Sequence, residues 1–141
     1  MSDISAAQFG AAMAALWAAH DLADHVVQTD HQAAGKASDW RAMAGHVGGY
    51  HVVQALAVAA LRGLGMRPSW RRVLAALVWS AATHALLDRR WPVQRLLAAT
   101  GSPKFAEATT PLHGGYLADQ ALHHAALVVS AAVLAGGGGR G

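Results

Sequence analysis

The chain has 141 residues, 54% of them hydrophobic and 13% charged, and it contains no cysteine. This composition excludes a disordered chain, which needs low hydrophobicity and high charge, and the lack of cysteine excludes a disulfide scaffold and a thiolate zinc site. The eleven basic residues give a net charge of +3, but they are scattered between the apolar segments and predict no nucleic-acid binding. The length predicts a single domain over residues 1–141, with residues 136–141 as a flexible glycine-rich tail.

Four long apolar segments predict four helices, because neither proline nor charge interrupts their middle parts. They run approximately over Ile4–Val27, Met43–Leu61, Ser69–Asp88 and Tyr116–Ala135. The polar segments Gln28–Arg41 and Arg89–Gly115 predict loops, the second with a short helix at Val93–Ala99. The short link Arg62–Arg67 makes helices two and three antiparallel neighbours. We therefore predict an all-α fold, an antiparallel four-helix bundle with a short extra helix between helices three and four.

The apolar character of the four helices on all sides favours a transmembrane bundle. A spanning helix needs about 20 apolar residues, and charge-free runs of 20 residues cover Ala42–Leu61 and Gln120–Gly139. The runs in the first and third helices are shorter, 17 residues at Ile4–His20 and 15 residues at Val73–Leu87. Helices that are apolar all round lie in lipid or deep in a core, and a chain of this size cannot bury four of them completely. A soluble four-helix bundle is the alternative, and the even spread of basic residues leaves the orientation open.

Histidine and aspartate recur at one spacing on three of the predicted helices. The partners of each pair are four residues apart, so they share a helix face about one turn apart. The pairs are His20 with Asp24, His84 with Asp88, and Asp119 with His123. Helix two adds His46 near its start. In an up-and-down bundle the ends of helices one and three lie beside the starts of helices two and four, so these groups meet in one layer.

A histidine and a carboxylate from each facing helix can form a divalent metal site in a bundle core. Imidazole nitrogen and carboxylate oxygen suit zinc, the ion we predict first, and also iron or manganese. The predicted ligands are His20, Asp24, His46, His84, Asp88, Asp119 and His123. Since zinc takes about four ligands, either two ions bind or some of these residues lie outside the ligand set. The alternative is structural: each histidine donates to a carboxylate, and Arg89 or Arg90 pairs with the acids.

The predicted function is metal-dependent hydrolysis, with Asp24, Asp88 and Asp119 as the candidate catalytic carboxylates. Four basic residues at the same end could hold a phosphate, so a phosphoester or a lipid-like molecule is the predicted substrate. These residues are Lys36, Arg41, Arg89 and Arg90. A metal-ion or proton binding and transport protein is the second hypothesis, although the helix middles offer no continuous polar path. A non-catalytic structural bundle is the third, and its small-residue faces would allow a homo-oligomer.

Four blocks of this sequence, in this order, resemble a known family. They are His20–Asp30 (HDLADHVVQTD) with Lys36 following, the helix of His46, Thr83–Arg89 (THALLDR) and Asp119–His123 (DQALH). At these residues the chain resembles a bacterial membrane-protein family known only as domain of unknown function 3307. The resemblance implies a small multi-pass protein of the bacterial cytoplasmic (inner) membrane and implies no established chemistry. A more distant likeness to small membrane proteins described as metal-dependent hydrolases is an analogy only.

Overall fold

The structure, a computed structural model, describes residues 3–136, so residues 137–141 of the predicted tail lie outside the described residues. The described part of the chain contains helices and no strand, which confirms the all-α prediction. The α-helices are α1 (Asp3–Leu22), α2 (Asp30–Gly35), α3 (Trp40–Gly63), α4 (Trp70–Leu87), α5 (Trp91–Ala99), α6 (Pro103–Glu107) and α7 (Gly114–Ala135).

The four long helices α1, α3, α4 and α7 pack in a closed ring. On one side α1 contacts α3 and α7, and on the other side α4 contacts the same two helices. Polar contacts join the C-terminal ends of α1 and α4 to the N-terminal ends of α3 and α7, as between His20 and Gln120 and between His46 and Asp88. These four ends therefore form one polar end of the bundle.

Each long helix buries a narrow stripe that is polar at this end and apolar at the other. In α3 the buried positions His46, Tyr50, Gln54 and Val58 are spaced by four residues, which places them along one helix face. The apolar half of the core consists of Ala12, Leu16, Val58, Leu61, Met66, Ala76, Leu127, Ala131, Leu134 and Ala135. The apolar core therefore fills one half of the bundle, and the polar cluster lies next to it at the other end.

The first helix does not remain α-helical to Val27 as predicted. It changes at Ala23 into a π-helical turn, Ala23–Val27, in which the Gln28 amide donates to the Ala23 carbonyl at 3.1 Å. A π-helical turn holds one more residue per hydrogen-bonded loop than an α-turn and is frequent at functional sites. The Gln28 side chain also donates to the Asp24 carbonyl. This turn sets the position of the Asp24 side chain.

Two short helices lie in segments that the sequence predicted as loops. In α2 the Thr29 hydroxyl accepts from the Gln32 amide at 3.3 Å, and the Gln32 side chain accepts from the Thr29 amide at 3.0 Å. This capping box starts a helix whose C-terminal end delivers Lys36. In the second segment α6 precedes α7 so closely that a Cβ atom at Gly114 would collide with the Phe105 carbonyl oxygen. The predicted short helix is present as α5 and begins at Trp91, with proline in its first turn.

By length and composition, one helix among residues 3–136 could cross a membrane, namely α7 at Gly114–Ala135. The core helix of a soluble protein meets the same criterion, so the predicted four-helix transmembrane bundle and multi-pass location are not confirmed by it. The physical reason is composition: the 18 residues of α4 include Arg71 and Arg72, and α3 carries four glycines, so the mean apolar character of these helices is lower.

Candidate metal centre

Four of the predicted ligands form one buried cluster at the polar end of the bundle. Asp24 comes from the π-helical turn, His46 from the second turn of α3, His84 from the last turn of α4, and Asp88 follows α4 directly. Each of these residues is 3% exposed or less. One ligand atom of each residue lies within 4.8 Å of one atom of every other residue of the cluster. The structure thus brings together side chains from three separate elements.

The ring nitrogens and carboxylate oxygens of the cluster crowd around a common point. His46 Nε2 lies 3.1 Å from Asp24 Oδ1, 3.1 Å from Asp88 Oδ2 and 2.8 Å from His84 Nε2. His84 Nε2 is itself 3.1 Å from Asp88 Oδ2 and 3.9 Å from Asp24 Oδ1. Two ligands of a tetrahedral zinc ion with bonds of about 2.0–2.1 Å lie about 3.3 Å apart. The observed separations, 2.8–3.9 Å, are compatible with a metal-ligand set.

Hydrogen bonds alone do not account for this crowding. An imidazole nitrogen carries either one lone pair or one N–H group, yet His46 Nε2 has three cluster atoms and Lys36 Nζ within 3.2 Å. Asp88 Oδ2 lies 3.1 Å from two of these ring nitrogens, but it is fully buried and has no hydrogen-bond partner. A cation shared by the ring nitrogens and carboxylate oxygens would satisfy all of them.

Lys36 lies directly beside the two buried carboxylates. Its Nζ atom is 2.9 Å from Asp24 Oδ1 and 2.9 Å from Asp88 Oδ1, and it lies 3.2 Å from His46 Nε2. The sequence predicted Lys36 as a phosphate-binding residue, and the structure makes it first of all the counter-ion of the two aspartates. Among residues 3–136 the basic partner of these acids is therefore this lysine, and neither Arg89 nor Arg90 has the predicted ion pair.

Asp24 and Asp88 are carboxylates at neutral pH. Burial by itself raises the pKa of Asp24, but the hydrogen bond with His46 and the positive charge of Lys36 outweigh it and hold this pKa well below its usual value. For Asp88, burial likewise raises the pKa, but the nearby His123, His46 and His84 lower it by more, so this pKa also lies well below its usual value. Both side chains can therefore act as metal ligands without first losing a proton.

A chain of hydrogen bonds that begins at Gln54 ends at the Asp24 carboxylate. Gln54 Nε2 donates to Tyr50 Oη at 2.7 Å, and Tyr50 Oη pairs with His20 Nδ1 at 3.0 Å. His20 Nε2 donates to Gln120 Oε1 at 2.9 Å, and Gln120 Nε2 donates to Asp24 Oδ2 at 3.2 Å. This order requires the His20 tautomer with its proton on Nε2. His20, a predicted ligand, thus uses both ring nitrogens to position Asp24.

Sequence reasoning did not include Gln120 and Tyr50 in the site. Tyr50 and Gln54 follow His46 at steps of four residues, so the repeat of polar residues along α3 was a signal for one buried polar face. Gln120 lies between Asp119 and His123 in an otherwise apolar helix, but its partner His20 is 100 residues away in the chain. Spacing within α7 could not reveal that contact.

The other two predicted ligands form a second group that shares Asp88. His123 Nε2 lies 3.7 Å from Asp88 Oδ1 and 3.6 Å from Asp119 Oδ2. The His123 side chain is 2% exposed, whereas that of Asp119 is 22% exposed. Ring nitrogens of His20, His84 and His123 also lie within 4.8 Å of one another. All seven predicted ligands are therefore in one contiguous cluster.

A cavity of about 540 Å³ opens above this cluster. Its polar floor contains Asp24, Lys36, Asp88, Asp119 and Gln120. Residues of α5, of α6 and its following segment, and of the start of α7 form its largely apolar walls, among them Val93, Leu97, Ala106, Ala108 and Tyr116. The buried carboxylates are therefore accessible to a small molecule from one side.

Two of the four predicted substrate-binding residues line this cavity, and two lie elsewhere. Lys36 and Arg90 are lining residues, and Arg90 adopts the left-handed backbone conformation with φ 65°. The Arg89 guanidinium instead stacks 3.6 Å from the centre of the Trp40 ring and donates to a backbone carbonyl at 3.0 Å. Arg41 is exposed at the start of α3 and does not line the described cavity. Arg89 therefore fastens the start of α3 to the end of α4.

Comparison with protein-family models matches residues 12–136 to the family described as "Protein of unknown function (DUF3307)". Comparison with curated proteins and with solved structures gave no match. The matched residues 12–136 include every residue of the cluster and of the cavity.

Proposed function

This chain belongs to the DUF3307 family, and we propose that it is a membrane-embedded, metal-dependent hydrolase that acts on a phosphoester or a lipid-like substrate. The ion is a divalent cation, zinc before iron or manganese, and its ligands are Asp24, His46, His84 and Asp88. The observation that carries the proposal is the convergence on His46 Nε2 of two carboxylate oxygens and a second ring nitrogen, all within 3.1 Å. Two imidazoles and two carboxylates match the nitrogen and oxygen donors that zinc accepts in proteins.

The cavity supports hydrolysis as the reaction. A divalent ion bound at its floor would polarise a substrate oxygen and, by accepting water as a fifth ligand, would lower the pKa of that water toward about 7. Asp119 reaches the same floor and can take the proton of the attacking water. As water oxygen bonds to phosphorus, the ester P–O bond breaks and the leaving alcohol takes a proton. The net reaction consumes one water and yields a phosphate and an alcohol.

A bound divalent ion would make this cavity suitable for an anionic substrate. Its lining holds four acids, Asp24, Asp88, Asp119 and Glu107, against two bases, Lys36 and Arg90, so the ion would supply the positive charge that a phosphate needs. The apolar walls of α5 and α6 would accommodate an acyl or aryl group next to the phosphate. This combination of a charged floor and apolar walls supports a phosphoester with an apolar portion, such as a lipid.

The outer surface of the bundle supports a location in the membrane. Large apolar side chains on the outer faces of three long helices are at least 41% exposed, and they are Val52, Leu56, Leu74, Val78, Val128 and Val129. No charged residue lies between Arg41 and Arg62 or between Arg72 and Asp88. Contiguous apolar surface of this kind is typical of a membrane or protein contact. Exposed Trp40 and Trp91 at the polar end and Trp70 at the other end fit the two aromatic belts of a membrane protein.

Metal analysis of the detergent-purified protein tests the proposal. Elemental analysis should find bound divalent ion in the wild type and its loss in the double variant His46→Ala with His84→Ala, because two of four ligands are gone. His31→Ala, an exposed histidine on α2, is the control and should keep the ion. The absence of bound ion in wild-type protein after zinc loading and buffer exchange would overturn the proposal.

Activity and location need separate measurements. Zinc-loaded protein should hydrolyse para-nitrophenyl phosphate or phospholipid in vesicles, and Asp119→Asn should lower the rate at least about 100-fold because it removes the proposed general base. In the cell, carbonate-washed membranes should retain the wild-type chain. Val78→Arg, on the outward face of α4, should reduce that fraction because arginine at a helix centre costs about 2.5–3.5 kcal/mol on insertion. Recovery of all the protein in the soluble fraction would contradict the membrane location.

Transport is the weaker alternative for the same residues. The buried polar groups in the middle of the bundle are tied to backbone carbonyls, Gln54 to that of Leu16 at 3.2 Å and Ser130 to that of Ala76 at 3.1 Å. Below them the core is apolar. The polar cluster therefore ends within the bundle, which favours chemistry at one end over passage through it.

A further inference from the structure

Asp88 directs its two carboxylate oxygens toward different groups of histidines. Oδ2 lies 3.1 Å from His46 Nε2 and 3.1 Å from His84 Nε2, on the side of the four-ligand cluster. Oδ1 lies 3.7 Å from His123 Nε2, on the side of Asp119. A carboxylate in this position can bridge two cations, with one oxygen bound to each.

We propose that Asp88, Asp119 and His123 bind a second divalent cation, so that Asp88 bridges two ions in one dinuclear centre. This inference rests on the first metal centre of the proposed function, and it gives Asp119 the role of a metal ligand in place of that of the general base. It assigns the second ion three protein ligands, whereas the first ion has four. The first site is therefore closed by protein, and the second keeps a coordination position open, as catalytic metal sites do.

The geometry of His123 favours a cation over a hydrogen bond. His123 Nε2 is buried and has no hydrogen-bond partner among the described residues. Its distances of 3.6 Å to Asp119 Oδ2 and 3.7 Å to Asp88 Oδ1 are too long for N–H···O hydrogen bonds. They are within a few tenths of an ångström of the separation of about 3.3 Å expected between two ligands of one tetrahedral ion. One ion between these three atoms would satisfy the orphaned nitrogen.

Lys36 is compatible with this bridge. Its ammonium lies 2.9 Å from Asp88 Oδ1, the oxygen assigned to the second ion. A carboxylate oxygen has two lone pairs, so it can accept from the lysine and bind a cation together. The ammonium then stands next to both ions at the cavity floor, where it would meet a phosphate oxygen.

The second site is the more exposed of the two sites toward the cavity. Asp88 and Asp119 both line the cavity, and the Asp119 side chain is 22% exposed. In two-metal hydrolases the ions lie about 3.5–4 Å apart and hold the attacking and the leaving oxygen of an in-line displacement. The shared carboxylate of Asp88 sets the two proposed ions at such a spacing. The substrate class that follows is a phosphoester whose phosphate bridges both ions.

Metal stoichiometry of purified, zinc-loaded protein tests this inference. Wild type should bind two ions per chain, and His123→Ala and Asp119→Asn should each bind one. Because the Asp119 side chain is partly exposed, Asp119→Asn should fold and report on the site even if His123→Ala does not fold. His124→Ala is the matched control, because this neighbouring histidine of α7 contacts Asp21 at 3.2 Å and not Asp88, and it should keep two ions.

The outcomes separate the two proposals. Two ions in the wild type and one in each variant supports the second site. One ion in the wild type, lost in the double variant of His46 and His84, overturns the second site and leaves the first intact. No ion in any of these proteins overturns both. Manganese loading gives a second readout: a bridged pair should show an exchange-coupled paramagnetic resonance spectrum, and Asp119→Asn should show that of isolated ions.

Discussion

Replacement of Lys36 by methionine separates a metal centre from an ion pair that only holds helices together. The lysine ammonium contacts one oxygen of Asp24 and one of Asp88 at 2.9 Å each. In metal-free protein it is the cation that balances two buried carboxylates. In zinc-loaded protein the ion itself supplies that positive charge. The same substitution should therefore have different effects in the two states.

The size of the effect follows from these contacts. At an effective dielectric constant of about 20, each contact of 2.9 Å contributes about 6 kcal/mol of attraction. The cost of removing the charges from water offsets much of this energy, and loss of one partner of a buried pair typically costs about 3–5 kcal/mol. For a chain of this length that corresponds to a fall in Tm of about 6–20 °C. Zinc at about 1,000 times its Kd stabilises either protein by about 4 kcal/mol, so only tighter binding by the variant reduces the difference between them.

Thermal unfolding of detergent-purified protein, with chelator or with excess zinc, measures both states. Lys36→Met should unfold far below wild type in chelator and close to it in zinc. Because zinc stabilises both proteins, closing a gap of about 3–5 kcal/mol requires the variant to bind zinc about 100–5,000-fold more tightly, which is the effect expected when a repelling charge is gone. Lys104→Met, the other lysine of the chain and exposed on α6, is the control and should match wild type in both. An equal loss of Tm with and without zinc would refute the reasoning and identify the cluster as a structural ion pair.

Further expectations concern the residues around the cluster. Gln120→Leu should keep the metal stoichiometry but weaken zinc binding about 10–100-fold, because it removes the hydrogen bond that positions Asp24. Competition with a chromophoric chelator measures the affinity, and an unchanged value would contradict the positioning role. Wild type in chelator should have a larger free energy of unfolding than Asp88→Asn, and this difference should be complete above the usual carboxyl pKa of 3.8. The difference should decline as pH falls below 3.8, because folding lowers the pKa of Asp88. Denaturant titrations from pH 7 to 3 measure it, and a constant difference over this range would contradict the prediction. Arg90→Ala should raise KM for a phosphoester with little change in kcat, whereas Arg89→Ala should lower Tm and leave KM unchanged. Steady-state kinetics in which Arg89→Ala raised KM and Arg90→Ala did not would contradict the placement of the two arginines.

Much of the candidate site was predictable because it depends on local spacing. A separation of four residues places His84 and Asp88 on one helix face whatever surrounds them. Apolar segments without proline or charge predict helices, and a closed up-and-down bundle brings alternate helix ends together. All seven predicted ligands therefore lie in one cluster.

Other features depended on contacts that local patterns do not encode. The Gln28–Arg41 segment is polar and predicted a loop, but its capping box forms α2 and carries Lys36 between the two aspartates. The two neighbouring arginines looked alike in the sequence, yet Arg89 stacks on Trp40 while Arg90 lines the cavity. Which of two adjacent side chains faces a cavity depends on the backbone direction at that residue.

The sequence by itself determined the four long helices and the end of the bundle at which histidine and aspartate collect, because helical periodicity relates residues three or four positions apart. Only the tertiary structure decided that Asp88 lies between two groups of histidines, that His20 acts through Gln120, and that α5 and α6 enclose a cavity over the cluster. These features are distances between atoms far apart in the chain. Packing sets such distances to within an ångström, and metal coordination is sensitive to differences of that size.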